Sequence, residues 1–325
     1  MSHFVTLMGV EDVSEIDYRM ERFCECTEDP DYLDFEDHTE ECRTEYENGT
    51  VQLVRMPNGK IYKEHEYEFS RKFLVRDGLV YQKDFGPLHH EKRSKRAKKI
   101  KALPPIPWKK YYPEFKDYAE QEESYAYSES RDQYGYYYNP DAQWDWFVIG
   151  GRWPYQLLVS ENDEDAIVGD RDSGDGCPAP KGYKWVAGAK KGAVAWDLMK
   201  QIAVANAHAR YALYKGWLDA GEVPKGAGLV AITDEGLASW GEIALYKDET
   251  LEDYLHRNHL DENDRVLPNC YSFVNDSDEW VSQGDMGWFG ISSNNKEDRT
   301  WNEMVAEFID SIPDEDYIVS IDCHI

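Results

Sequence analysis

The sequence predicts an α+β protein in which helices pack on one face of an antiparallel or mixed sheet. Three observations predict it: strand-like apolar runs lie near both ends of the chain, each lies beside a helical pattern, and hairpin patterns occur between them. A ferredoxin-like arrangement is one form of this class. A long insertion, acidic and then basic, is expected within it. The 325 residues allow one large domain or two modest ones.

The first ninety residues are expected to form an α+β part with an acidic insertion. The predicted elements are a strand at His3–Val10, a helix at Val13–Phe23, a loop at 25–48, and hairpins at 51–62 and 72–81. The loop is predicted because its segment is very acidic and contains Pro30. The first hairpin is predicted because two β-prone runs flank Asn58-Gly59.

The middle of the chain, 91–138, is predicted to be a linker between parts 1–90 and 139–325. Packing of these two parts as one domain is the alternative to two separate domains. The first half of the linker, 92–110, carries nine Lys and Arg residues around a Pro-rich run. That pattern fits a nucleic-acid contact, pairing with the protein's own acidic surface, or a solvated linker. The last two interpretations are favoured. Its second half, 111–138, is rich in tyrosine, which suits either a contact surface or a loop packed over a core.

The remaining elements follow from periodicity and end signals. They are a strand, a Gly-Gly turn and a strand over 144–158, a helix over 192–220 that ends at Gly221, a strand at 229–232, a helix at 251–258, a helix near 300–312 with a capping box at Thr300 and Glu303, and a strand at Tyr317–Ile325.

Composition limits the classes of partner. The net charge of −28 repels nucleic-acid phosphates except where basic residues cluster, as at 92–110, and favours basic partners. No run approaches the length of a membrane span, so no membrane contact and a cytoplasmic location are expected. Six scattered cysteines indicate reduced thiols. Cys24, Cys26 and Cys42 with His38 lack the usual zinc-knuckle spacing, so neither a metal nor a cofactor is expected.

The most distinctive stretch runs from Asn139-Pro140 to Trp153. It brings together three tryptophans, an aspartate, a Gly-Gly pair and an arginine: Trp144, Asp145, Trp146, Gly150, Gly151, Arg152 and Trp153. The glycines permit positive φ at a turn. The guanidinium of Arg152 suits a phosphate or carboxylate, and the indoles suit either core packing or stacking on a base. The stretch matches neither a P-loop nor GxGxxG, so it indicates no specific nucleotide fold.

The last strand carries a second pair of candidate residues. Asp322 and His324 fall on one face of it, about 7 Å apart by strand rise. An aspartate beside a histidine can orient an imidazole as a general base. An ordinary solvent-facing strand surface is the alternative.

Taken with Gly287-Trp288-Phe289-Gly290 and the terminal Asp322-Cys323-His324-Ile325, the Asn139-to-Trp153 stretch resembles a group of uncharacterised bacteriophage and prophage proteins. The likeness covers roughly the second half of the chain. It implies a phage or mobile-element origin, and a cytoplasmic location in the host.

Three functional hypotheses follow. The leading one is a non-enzymatic accessory protein of phage type. It would bind and inhibit a basic or nucleic-acid-binding host protein, such as a defence factor, through an acidic surface. The second is a small-ligand binder for a nucleotide-like molecule, or a hydrolase, with a pocket around Arg152 and His324. The third is a structural or assembly protein.

Overall fold

The computed structural model describes residues 2–83, 95–170, 178–240, 242–287 and 291–325. The chain divides into two compact units. The first unit comprises Met1–Thr27 with Asp141–Ile325, and the second comprises Glu28–Pro140. This division differs from the expected one: the described part of 91–138 forms strands and helices of the second unit instead of a linker.

The helices and strands are numbered in chain order. The helices are α1 (Glu15–Glu21), α2 (Thr39–Asn48), α3 (Tyr67–Ser70), α4 (Trp108–Tyr111), α5 (Phe115–Gln121), α6 (Trp196–Ala220), α7 (Leu251–Arg257) and α8 (Asp298–Ser311). The strands are β1 (His3–Val10), β2 (Asp34–Asp37), β3 (Thr50–Val51), β4 (Leu53–Arg55), β5 (Ile61–Lys63), β6 (Phe73–Arg76), β7 (Leu79–Gln82), β8 (Lys95–Arg96), β9 (Lys101–Ala102), β10 (Ile106–Pro107), β11 (Ala126–Ser128), β12 (Gln133–Tyr138), β13 (Trp146–Ile149), β14 (Leu157–Ser160), β15 (Tyr183–Val186), β16 (Gly188–Lys190), β17 (Val230–Ile232), β18 (Gly236–Ser239), β19 (Glu242–Tyr246), β20 (Ser272–Val274), β21 (Trp280–Ser282), β22 (Asp285–Met286), β23 (Ser292–Ser293) and β24 (Tyr317–His324).

A mixed sheet organises the first unit, which confirms the α+β class. Its strand order is β13-β24-β1-β20-β21, and β16 also pairs with β24. The β1–β20 pair is parallel, whereas β1–β24 and β13–β24 are antiparallel. The predicted strand at each end of the chain is confirmed, and the two pair with each other along their whole length, from His3 opposite His324 to Val10 opposite Tyr317.

Helices cover both faces of this sheet, so the expectation of helices on one face is wrong. Val5 and Leu7 pack with residues of α8, while Phe4 and Met8 pack with residues of α1. The reason is visible in β1 and β24, where every residue after the first is buried on both faces. Because the two helices of a ferredoxin-like unit share one face, that arrangement is not confirmed.

Several local predictions can be compared directly with the structure. The long helix ends at Gly221 in the left-handed conformation (φ 69°), as its sequence predicts. The strands around the Gly-Gly turn do not pair with each other: β13 pairs with β24, and β14 with β15. The predicted capping box at Thr300 is wrong, because α8 begins at Asp298 and has Glu297 as its N-cap. A complete capping box is present instead at Thr250 and Asp253 of α7.

The second unit contains small antiparallel sheets, and both predicted hairpins, β4–β5 and β6–β7, are confirmed. The loop expected at 25–48 is wrong in part, because it contains β2 and α2. Its acidic residues face solvent, while Phe35, Cys42 and Tyr46 are buried. Three well-spaced apolar side chains are enough to hold an otherwise charged segment on a core.

The basic segment 92–110 also differs from a free linker. Residues 92–94, which include Lys92 and Arg93, lie outside the described residues, and residues 95–110 contribute β8, β9, β10 and most of α4. Within that described part, Lys109 forms an ion pair with Glu47 of α2. This contact agrees with the expectation that some of these cations pair with the protein's own acids.

Candidate functional site

The candidate site lies at one end of the mixed sheet, where β13, β24 and β1 run side by side. The registers place Trp146 opposite His324, and His324 opposite His3. Residues directly opposite each other in antiparallel strands point to the same face. The three side chains therefore form one row across three strands.

The rings of this row are in contact. Ser2 and Ile325 exchange both backbone hydrogen bonds, so the next pair, His3 and His324, is a non-hydrogen-bonded pair. In such pairs the side chains approach more closely. Their ring centroids are 4.9 Å apart, edge to face. On the other side, the indole of Trp146 stacks on His324 at 5.2 Å with an interplanar angle of 19°.

Each histidine donates a hydrogen bond to a carboxylate. Nδ1 of His3 bonds Oδ1 of Asp322 at 2.9 Å, and Nδ1 of His324 bonds Oδ1 of Asp145 at 2.6 Å. The Asp322 side chain is fully buried, while that of Asp145 is 34% exposed. Such a bond fixes the ring orientation and makes Nε2 the nitrogen available to other groups.

The second ring nitrogen of His324, Nε2, is buried and has no hydrogen-bond partner among the described residues. Other buried side-chain atoms of the described chain share this condition, including Oγ of Ser320 in the same strand. An unsatisfied buried polar atom costs about 1–3 kcal/mol, so it calls for an explanation in structure or in function.

Gly151 brings the turn after β13 against this cluster. It adopts φ 53°, and a Cβ added there would overlap the carboxylate of Asp322. The close approach lets the backbone N–H of Arg152 donate to Oδ2 of Asp322 at 2.8 Å. Gly150 also has positive φ (85°), so both glycines shape the turn as their sequence suggests.

The structure separates the three tryptophans of the motif. The chain bends at Asp145. Trp144 is buried, edge-on to Phe147, on the α1 side of the sheet. Trp153 packs partly buried against the α8 side. Trp146 alone is well exposed, at 42%.

Arg152 lies at the surface beside the cluster. Within the part of the chain that the structure describes, its guanidinium makes no assigned hydrogen bond or ion pair. Asp322 and His324 share a face, as alternation predicts, but each pairs with another residue. His3 was not foreseen, because only the pairing of β1 with β24 brings it to this place.

In this conformation Nε2 of His324 is shielded from solvent. Two cavities of the first unit, of about 390 and about 540 Å³, lie elsewhere, with Trp301 lining one and Trp280 the other, and neither lining includes Arg152 or His324. Among the described residues, no three His, Cys, Asp or Glu side chains converge in a way that would hold a metal. In the same part of the chain, no helix is long and apolar enough to cross a bilayer.

The second unit carries a different surface, here called the acidic tyrosine face. It is the side of the β11-β12-β2 sheet that bears Tyr127, Tyr136, Tyr138, Asp34 and Glu36. The three tyrosines are about 40% exposed. The registers place Tyr136 opposite Glu36 and Tyr138 opposite Asp34, so a column of tyrosines on β12 lies beside a column of acids on β2.

Hydrogen bonds order this face. The hydroxyl of Tyr136 donates to Glu36 at 2.8 Å, which raises the pKa of the tyrosine, and that of Tyr127 donates to Asp132 at 2.5 Å. His38 stacks between Tyr125 and Tyr136. The segments of the same unit before and after β2 carry further exposed acids: Glu28, Asp29, Asp31, Asp37, Glu40, Glu41, Glu45 and Glu47.

Comparison of the chain with protein-family models, curated proteins and solved structures found no match. The resemblance to phage and prophage proteins therefore stays a prediction.

Proposed function

We propose that this protein binds the basic face of a nucleic-acid-binding protein through the acidic tyrosine face. The observation that carries this proposal is the pairing of exposed tyrosines with exposed carboxylates across adjacent strands of one ordered sheet. Carboxylates two residues apart on a strand are about 6.7 Å apart, which forms a row of charges. Arginine both pairs with carboxylates and stacks on tyrosine rings, so an arginine-rich surface complements this face.

The tyrosines of this face are already held in place in the free protein, which also supports the proposal. Tyrosine loses little entropy on binding because it has few rotatable bonds, and the bonds from Tyr136 to Glu36 and Tyr127 to Asp132 restrict it further. The net charge of −28 attracts a basic partner at long range and accelerates encounter.

The proposal includes a wider setting. The resemblance of the second half of the chain to phage and prophage proteins favours a host protein as the partner, inhibition as the outcome, and the host cytoplasm as the place. A defence protein that binds nucleic acid fits this chemistry. A purely structural or assembly role would leave the ordered tyrosine–acid pairs without a use.

The test measures binding of a fluorescent arginine-rich peptide by anisotropy over a range of salt concentrations. The double variant D34N/E36Q should weaken binding about threefold to tenfold, since each exposed ion pair contributes about 0.2–1 kcal/mol. E303Q/E307Q, on the exposed side of α8, removes the same net charge elsewhere and is the matched control. Double-stranded DNA bound to a basic DNA-binding protein should be displaced by the wild-type chain. Equal weakening by both variants, or binding that ignores salt, would contradict the proposal.

A further inference from the structure

The two histidine–aspartate pairs at the end of the mixed sheet form an arrangement that the acidic tyrosine face does not use. We propose that His324 and His3 are an acid–base pair that hydrolyses a small phosphodiester of nucleotide type. Each imidazole is oriented through Nδ1 by its own carboxylate, so both rings are set to work through Nε2. This activity is independent of the binding function proposed above.

The buried, unpartnered Nε2 of His324 is the observation that points to a ligand. A histidine whose other nitrogen is already held by Asp145 gains nothing structural from an unsatisfied Nε2. A bound water or hydroxyl would satisfy it and would lose its proton to it. Asp145 is a positioning residue in this scheme, as Asp322 is for His3.

Two neighbouring side chains suggest the substrate class. The exposed indole of Trp146 covers the ring of His324, and an indole that turns aside both uncovers Nε2 and offers a stacking surface for a base. The backbone of Arg152 lies beside Asp322, and its exposed side chain carries a guanidinium, which suits a phosphate monoanion. A nucleic-acid polymer is excluded as the substrate, because the net charge of −28 repels a long row of phosphates.

The reaction balances with water as the only co-reactant. Neutral His324 takes a proton from water, and the water oxygen bonds to phosphorus. The phosphorus–oxygen ester bond breaks, and protonated His3 gives its proton to the departing oxygen. The products are a phosphomonoester and an alcohol, and one proton transfer between the two imidazoles through solvent restores the starting state.

The experiment uses the full chain with bis(para-nitrophenyl) phosphate and a panel of cyclic mononucleotides and dinucleotides. We expect turnover with a bell-shaped dependence of kcat/KM on pH, and a loss of at least about a hundredfold in His324→Gln and His3→Gln. His256→Gln is the matched control, because His256 in the same unit also bonds a carboxylate through Nδ1 but is 61% exposed.

Folding is checked by circular dichroism and thermal melting of every variant. Asp145→Asn keeps the shape of a partly exposed side chain and should shift the pH profile while retaining the fold. Trp146→Ala should raise KM more than it lowers kcat. Turnover of none of the probes by the wild-type chain overturns the proposal, and so does a folded His324→Gln variant with wild-type activity.

Discussion

His3 and His324 lie directly opposite each other in the β1–β24 ladder, with their rings 4.9 Å apart. Residues more than three hundred positions apart in the chain thus share one small polar cluster. The cluster is inserted into the end of a sheet whose two central strands are almost entirely buried. The stability of the cluster depends on the carboxylate of Asp322, which accepts hydrogen bonds from the ring of His3 and from the backbone N–H of Arg152.

Replacing that carboxylate is expected to be costly. Asp322→Ala leaves Nδ1 of His3 and the N–H of Arg152 without their acceptor in a fully buried place. We expect a loss of about 3 kcal/mol in the free energy of unfolding, measured by urea denaturation. Asp141→Ala removes an exposed ion pair with Arg22 and should cost under about 0.5 kcal/mol. Similar losses in both variants would contradict the assignment.

The turn glycine gives a second prediction. Gly151→Ala places a Cβ on the carboxylate of Asp322 and imposes positive φ on alanine. We expect a fall in the free energy of unfolding of about 2–4 kcal/mol. Gly216→Ala, inside α6 with nothing near its Cβ position, should instead stabilise by about 0.5–1 kcal/mol. Thermal melting distinguishes the two, and a stabilised Gly151→Ala would show that the approach is looser than described.

The third prediction concerns pH. Hydrogen bonds to Glu41 and then to Glu36, together with the negative charge of Glu36, raise the pKa of His38 above its ordinary value. Its charged form therefore stabilises the fold fully below about pH 6.5, and this contribution is lost as pH rises through the raised folded-state value. His38→Gln should lower the melting temperature more at about pH 5.5 than at about pH 8.5. An effect that grows with pH would reverse the sign and refute the prediction.

Thiol labelling supplies a fourth test. Cys26 is exposed, whereas burial raises the pKa of Cys323 and of Cys270 to about 12. Because the thiolate is the reactive form, peptide-resolved mass spectrometry should find Cys26 labelled in the native protein and the two buried thiols unlabelled. All three should react in denaturant. Native labelling of Cys323 at the rate of Cys26 would place its strand nearer the surface than the structure does.

The sequence predicts the elements whose residues alternate or repeat strongly. The strands at the two ends of the chain and the helix that stops at Gly221 are of this kind, because burial on a core requires their apolar spacing. The strand and helix at 34–48 escape prediction, since only Phe35, Cys42 and Tyr46 hold them and seven exposed acids dominate the composition. Helices on both faces also escape, because the pattern of a single strand does not reveal what covers it.

The sequence predicts some residues of the candidate site but not the residues that pair with them. Alternation within one strand is enough to place Asp322 beside His324, and glycine's permissiveness is enough to predict the turn at Gly150 and Gly151. The partners of the two candidates are not predictable in this way. They come from other strands, and the bend at Asp145 breaks the alternation by which its direction would be inferred.

The pairing of β1 with β24 has a consequence for synthesis of the chain. The central sheet of the first unit cannot close until residues 317–324 have emerged, because β24 lies between β1 and β13. The second unit uses a continuous segment, 28–140, and is free of that delay. Until β24 has emerged, the apolar residues of β1 lack the strand that covers them, so the first unit depends for longer on protection from aggregation than the second.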